Sequence, residues 1–178
     1  MSLPRTPSQT IGPFFEFGLV MKPQLVAPHS AGAVTIQGRV LDGAGMPVPD
    51  ALVEIWQAGS DGQYDGKSGW GRCHTSRAGG FRFTTVKPGT VEEPDGSAQA
   101  PHVSVLCFAR GLLKPVLTRI YFPEETAANA IDLVLGALAG DERATLIATA
   151  AGATAYGFDI RLQGDAQTVF FTTAAFGL

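Results

Sequence analysis

Strict alternation of apolar and polar residues recurs along this chain, and it leaves little choice but a sheet. Tyr156, Phe158, Ile160 and Leu162 alternate with Gly157, Asp159, Arg161 and Gln163, the cleanest case. Val34, Ile36, Gly38 and Val40 alternate with Thr35, Gln37 and Arg39. Residues two apart in an extended chain share a face, so this period marks half-buried strands. Ala51, Val53 and Ile55 share one face of another strand, which ends at Trp56-Gln57-Ala58. Phe81–Val86, Val103–Phe108, Val116–Phe122 and Val169-Phe170-Phe171 read as further strands. Asp42–Asp50 and Ala78-Gly79-Gly80 carry turn chemistry, and a loop is read from Asp61 through Tyr64 and Gly69 to Arg72. Pro123-Glu124-Glu125 opens the one helical region, with acidic residues placed in its first turn. Two short helices are expected between Glu124 and Thr149, split near Gly140-Asp141. The spacing predicts a mainly β fold, an antiparallel β-sandwich over residues 33–178 with one short helical region near 124–149.

Residues 1–32 have no period and hold Pro4, Pro7, Pro13, Pro23 and Pro28. Ile11, Phe14, Phe15, Phe17, Leu19 and Val20 are nonetheless too apolar for a solvated leader, so the segment is expected to be an arm laid across another surface. With 178 residues the chain suits one core, and its charged fraction of only 16% points to surface covered by another chain. The net charge of −3, with no Lys/Arg cluster, argues against nucleic acid or an anionic membrane as partner. No run approaches the ~20 apolar residues of a membrane span. No signal-type segment is read at the start. Cys73 and Cys107 are therefore expected as reduced thiols in a bacterial cytoplasm.

The chemistry-bearing stretch runs from Thr85 to Ser104. It leaves a strand at Pro88-Gly89, crosses a polar loop and re-enters a strand at Pro101-His102. A loop rooted in two strands holds side chains still, as a site requires. A His-x-His pair there would offer two imidazoles to one metal. This chain has His102-Val103-Ser104, one imidazole and one hydroxyl.

Val86-Lys87-Pro88-Gly89 followed by Ala100-Pro101-His102-Val103 resembles the intradiol ring-cleaving dioxygenases. Catalytic chains of that family hold non-haem Fe(III) through two tyrosines and two histidines. Carried over by motif, Tyr64, eight residues after Trp56, matches the first tyrosine and His102 the first histidine. Val91 stands in place of the second tyrosine and Ser104 in place of the second histidine. The catalytic arginine three residues before the histidine is replaced by Gln99, and a glutamine before the next strand's apolar end by Arg119. The resemblance therefore implies a non-catalytic alpha-type subunit with a vestigial cleft and no metal of its own. Fe(III) would sit on a partner beta subunit that cleaves a small aromatic catechol with O2, and paired chains would assemble into a larger hetero-oligomer.

Thr6–Phe14 also resembles the arm of such subunits, which reaches the partner's site. Thr10, Gly12 and Phe14 are thereby expected at the partner's pocket edge. From residues alone the alternative is that Phe14 staples the arm to its own core, and Arg110 is a surface arginine at a strand end. By resemblance Arg110, in Phe108-Ala109-Arg110-Gly111, extends to the same pocket, where its planar guanidinium suits a benzoate-type carboxylate. Two alternatives stay open here. One is an independent intradiol enzyme with a degenerate iron site, the other a non-enzymatic β-sandwich binding module. Residues Ile36–Val53 also fit the module, although modules of that kind are shorter.

Overall fold

The alternation at residues 34–40 builds the strand around which the larger sheet is assembled. The computed structural model describes residues 6–66 and 68–172. In it β1 (Ala33–Leu41) buries Val34, Ile36 and Val40 while Gln37 and Arg39 face solvent. Along one edge it pairs antiparallel with β4 (Gly80–Val86), Ile36 opposite Phe83. Along the other edge β10 (Ala155–Gly157) and β11 (Ile160–Arg161) both run parallel to it, and β9 (Thr149–Ala150) pairs antiparallel with β10.

The second sheet is wholly antiparallel, in the order β3 (Trp70–His74), β2 (Leu52–Gln57), β7 (His102–Phe108), β8 (Val116–Tyr121). Ile36, Val40, Phe81, Phe83 and Ile160 of the first sheet meet Val53, Ile55, Val103, Val105 and Ile120 of the second in one core. The expected antiparallel β-sandwich is what forms, with two short parallel pairings added at one edge. Tyr121, Leu135, Leu146 and Ala100 make a smaller core on the far side of β8.

Several elements differ from the sequence-based expectation, each for a local reason. The single strand over Tyr156–Gln163 is two strands broken at Phe158-Asp159. Gly38 lets the chain close in, since a Cβ there would lie 1.7 Å from the Phe158 carbonyl oxygen. Asp159 then accepts the Arg39 backbone N–H at 2.9 Å and pairs with its guanidinium at 3.2 Å.

The segment Gly69–Arg72 is not all loop, because Trp70 begins β3. Arg72 pairs with Glu54 at 2.6 Å across the strands and lies over the Trp70 ring at 4.7 Å. The polar stretch after Gly89 folds into a small hairpin, β5 (Val91–Glu92) with β6 (Ala98–Gln99), turning at Asp95-Gly96. Phe171 makes one bridge to Leu117 and no strand.

The helical region holds three short helices rather than two: α1 (Thr126–Ile131), α2 (Leu133–Gly136) and α3 (Gly140–Ala144). Asp132 breaks the first from the second, because its side chain accepts the Val134 and Leu135 N–H groups as an N-cap. Glu124 and Glu125 precede α1 instead of filling its first turn, and both pair with Lys87 at the end of β4. Val53 faces Cys73 on one side and Cys107 on the other. The cysteines are thus two strand spacings apart, ~9.6 Å, beyond disulfide reach. Burial pushes both thiols up to about 12.

The second half of the arm lies on its own chain. Lys22 bridges to Arg72, Gln24 to Thr84, and Leu25 packs against the core. Gly71 of β3 makes room for this crossing, since a Cβ there would meet the Leu25 Cδ1 at 2.5 Å. Earlier in the arm, Phe14, Phe17 and Val20 are 71%, 71% and 75% exposed.

Candidate functional site

Alternation along β7 turns His102 and Ser104 to the outer face of the second sheet, away from the sandwich core. By register Ser104 lies beside Trp56 on one side and Arg119 on the other. Tyr64 stacks on Trp56, the rings 6.1 Å apart and 6° from parallel, and remains 41% exposed. His102 is only 2% exposed and packs on Tyr121 at 5.7 Å. Its Nδ1 lies 2.9 Å from the Ala100 carbonyl. A carbonyl only accepts, so Nδ1 carries the proton and Nε2 the lone pair, the tautomer a metal ligand uses. Burial pulls the ring's pKa down to about 4 and the Arg119 charge adds to the pull, so the imidazole is neutral near pH 7.

Arg119 is the unexpected centre of this cluster. It is 7% exposed and donates through Nη1 to the Tyr121 hydroxyl at 3.2 Å, which donates on to Asp132 Oδ1 at 3.2 Å. Asp132, fully buried, also accepts the Ala100 N–H at 2.9 Å. Burial raises the Tyr64 phenol, and the nearby guanidinium works against that rise. The same opposition acts on Tyr121, with burial again the larger effect. Sequence reasoning placed Arg119 in the cleft but missed Tyr121 and Asp132. An aspartate just before Leu133-Val134-Leu135 is an N-cap signature, and that signal was available for Asp132.

Gln99 and Val91 face each other in the β5–β6 hairpin. Gln99 Nε2 donates to Glu93, while its Oε1 is buried with no hydrogen-bond partner. Gln99, Arg119 and Asp132 line one cleft of about 460 Å³, walled by Pro94, Ala98, Leu133 and Val134.

This donor set does not fit a ferric ion. One buried imidazole and one half-exposed phenol are present, valine and serine stand at the other two positions, and a fixed guanidinium charge lies among them. A hard trivalent cation wants several anionic oxygens, not a neighbouring cation. Among the described residues no group of three or more His, Cys, Asp and Glu is placed to hold a metal.

The remaining site residues gather at the other end of β7, ~20 Å from His102 by strand rise. Thr10 Oγ1 accepts the Gly111 N–H at 2.8 Å, which ties the arm beside Arg110. Phe15 packs on Phe108 at 5.9 Å, and its N–H closes a turn on the Gly12 carbonyl at 3.1 Å. Phe14 turns outward, its ring 5.3 Å from that of Phe17. Phe15 rather than Phe14 therefore staples the arm. Arg110 is largely exposed, its guanidinium 3.8 Å from Asp50. Thr10, Gly12 and Arg110 are thus brought together, and none of them lines the Arg119 cleft. On the same arm Glu16 pairs with His74 at 3.2 Å.

Comparison with known proteins gives one consistent picture. A family model described as Dioxygenase matches residues 22–164. The chain is 37% identical to the protocatechuate 3,4-dioxygenase alpha chain of Burkholderia cepacia, over 96% of this chain and 98% of the relative. It is 39% identical to the Pseudomonas putida alpha chain, over 95% and 96%. The beta chain of the B. cepacia enzyme matches at 37% identity over 51% of this chain and 44% of its own. Among solved structures, the dioxygenase domain of a dioxygenase–carbohydrate-binding fusion from Streptomyces sp. SirexAA-E superposes with TM-score 0.61 and 27% identity. That match covers 89% of this chain and 98% of the domain.

Proposed function

Since this chain belongs to the intradiol dioxygenase family, we propose that it is the non-catalytic alpha subunit of a protocatechuate 3,4-dioxygenase. The enzyme would cleave 3,4-dihydroxybenzoate with O2, between the two hydroxyl-bearing carbons, to 3-carboxy-cis,cis-muconate, both oxygen atoms entering the product. Fe(III) on the partner beta subunit supplies the activation of substrate and oxygen. This chain contributes buried interface and the edge of the partner's pocket, and αβ pairs associate further in the cytoplasm.

The observation that carries this reading is Arg119. A buried guanidinium stands among the family's ligand positions, where catalytic chains would place a metal, while the family's fold is otherwise kept. The arm of residues 1–32 is assigned to the partner for a complementary reason. Thr10 and Phe15 hold it against β7 and the Gly111 loop, and Phe14, Phe17 and Val20 are left facing outward. On this assignment Thr10, Gly12, Phe14 and Arg110 form one edge. Arg110, only loosely paired with Asp50, is able to turn its planar fork to a substrate carboxylate.

Expression with and without the beta subunit tests the proposal. The chain alone should be colourless, hold less than stoichiometric iron and leave protocatechuate unchanged. Co-expressed with the beta subunit, it should purify as a complex that turns the substrate over. Ferric ion at one per chain, with the burgundy absorption of tyrosinate–iron charge transfer and turnover by the isolated chain, would sink it.

A further inference from the structure

We propose that Asp50 is the positioning residue for Arg110. Its carboxylate steadies one end of the guanidinium and leaves the rest of the fork turned to the carboxylate of the aromatic substrate in the partner's pocket. This rests on the reading that places Arg110 at that pocket edge, and it adds a residue that no motif singled out. The first observation is a backbone outlier. Asp50 has φ +63°, and among the described residues it is the one non-glycine in the left-handed region. Glycine, asparagine and aspartate take that conformation most readily, and of these only aspartate brings a charge. A residue held in a sparsely populated region points to a role for its side chain. The second observation is where that charge lies, with Oδ2 3.8 Å from Arg110 Nη2.

Both residues stand on fixed backbone. Thr75, almost fully buried, donates its hydroxyl to the Val48 carbonyl at 2.8 Å and accepts the Ala51 N–H at 3.0 Å. Its own N–H goes to the Ala51 carbonyl at 2.8 Å. Asp50 is thus clamped from both sides. Arg110 lies in a turn closed by the Leu112 N–H on the Ala109 carbonyl at 3.2 Å, with Gly111 at φ +90°. The arm secures that turn through Thr10, which accepts the Gly111 N–H at 2.8 Å. What remains free to move is the arginine side chain, half exposed and rich in rotamers. A separation of 3.8 Å is that of an ion pair and longer than a hydrogen bond. Asp50 therefore narrows the directions Arg110 takes without using up its donors, and a group placed beforehand loses less freedom when it binds.

Steady-state kinetics of the assembled enzyme test it, with this chain carrying Asp50→Asn, Asp50→Gly, Arg110→Ala, or Asp50→Asn together with Arg110→Ala. Asparagine and glycine both accept the left-handed backbone, so neither Asp50 variant should lower the thermal midpoint. Each should raise KM for protocatechuate about threefold with kcat unchanged, the worth of an exposed ion pair. In the Arg110→Ala background Asp50→Asn should have no further effect, since an influence relayed through Arg110 ends with it. A KM that Arg110→Ala raises but the Asp50 variants leave unmoved, or lower, overturns the role of Asp50 and keeps Arg110 at the pocket edge. A threefold rise that persists in the Arg110→Ala background overturns it as well, because Asp50 would then act independently of Arg110. A KM that Arg110→Ala itself leaves unchanged removes both residues from the pocket.

Discussion

His102 and Arg110 show how differently two site residues of one strand and its following loop are constrained. His102 is buried and neutral, its pKa drawn below the ordinary 6.5 to about 4 by burial first and Arg119 second. A base whose folded pKa is depressed stabilises the fold above its unfolded pKa, and that contribution is lost as pH falls through the folded value. Stability should therefore drop between pH 6.5 and 4 with uptake of one proton, by on the order of 3 kcal/mol from this group. Urea midpoints of the parent and of His102→Asn across that range test this; parallel curves would show that another group is responsible. Arg110 is largely exposed. Its replacement by alanine in the assembled enzyme should raise KM for protocatechuate about tenfold or more, the worth of a charge-assisted hydrogen bond, and leave subunit association unchanged. Unaltered steady-state kinetics would remove Arg110 from the pocket edge. That valine and serine stand at two of the family's four ligand positions, Val91 and Ser104, was legible in residue identities alone. The polar cluster built around Arg119 was not. The Arg119–Tyr121–Asp132 relay joins a strand to a helix cap eleven residues further on, and no local spacing announces that pairing.

At the scale of elements, period-2 alternation was a reliable guide wherever a strand buries one face along its length, as β1, β4 and β7 do. It misled at Tyr156–Gln163, where the alternation is correct but the strand is not continuous. Tyr156, Phe158 and Ile160 all reach the core, and the backbone between β10 and β11 leaves the ladder to let Asp159 take the Arg39 N–H. Gly38 makes that departure possible. Gly38→Ala would set a methyl 1.7 Å from the Phe158 carbonyl oxygen, so either β1 or the β10–β11 junction must move. A loss of roughly 3 kcal/mol or more is expected, as for other backbone clashes in a sheet interior, read as a lowered thermal midpoint. A midpoint within a degree of the parent would mean that the junction yields freely. The β3 strand and the β5–β6 hairpin went unread for the opposite reason. They are short and mix Trp70, Cys73, Val91 and Ala98 with polar residues and glycine, and Glu54, the crossing arm and the Asp95-Gly96 turn hold them as strands.

At the scale of the whole molecule, three large apolar side chains stand exposed together on the arm. Only 16% of its residues are charged, and Phe14, Phe17 and Val20 stand more than two-thirds exposed on an arm that Thr10, Phe15, Lys22 and Gln24 tie to the body of the fold. If their outward face were an accident of an unfixed segment, Thr10, Phe15, Lys22 and Gln24 would not each have a partner on the body of the fold. On the proposed function these exposed side chains are the arm's contact with the beta subunit, since contiguous exposed apolar surface marks interaction sites. Each of the three side chains is worth ~1.5–3 kcal/mol when fully buried. Replacing all three with serine should therefore weaken association with the beta subunit at least hundredfold, about 2.7 kcal/mol. The thermal midpoint of the isolated chain should stay where it was, because these side chains bury little within it. Sedimentation velocity on mixtures of the two subunits reads the first quantity and thermal melts the second. Undiminished association would move the interface off the arm. A fallen midpoint with normal association would make the three residues part of this chain's own core.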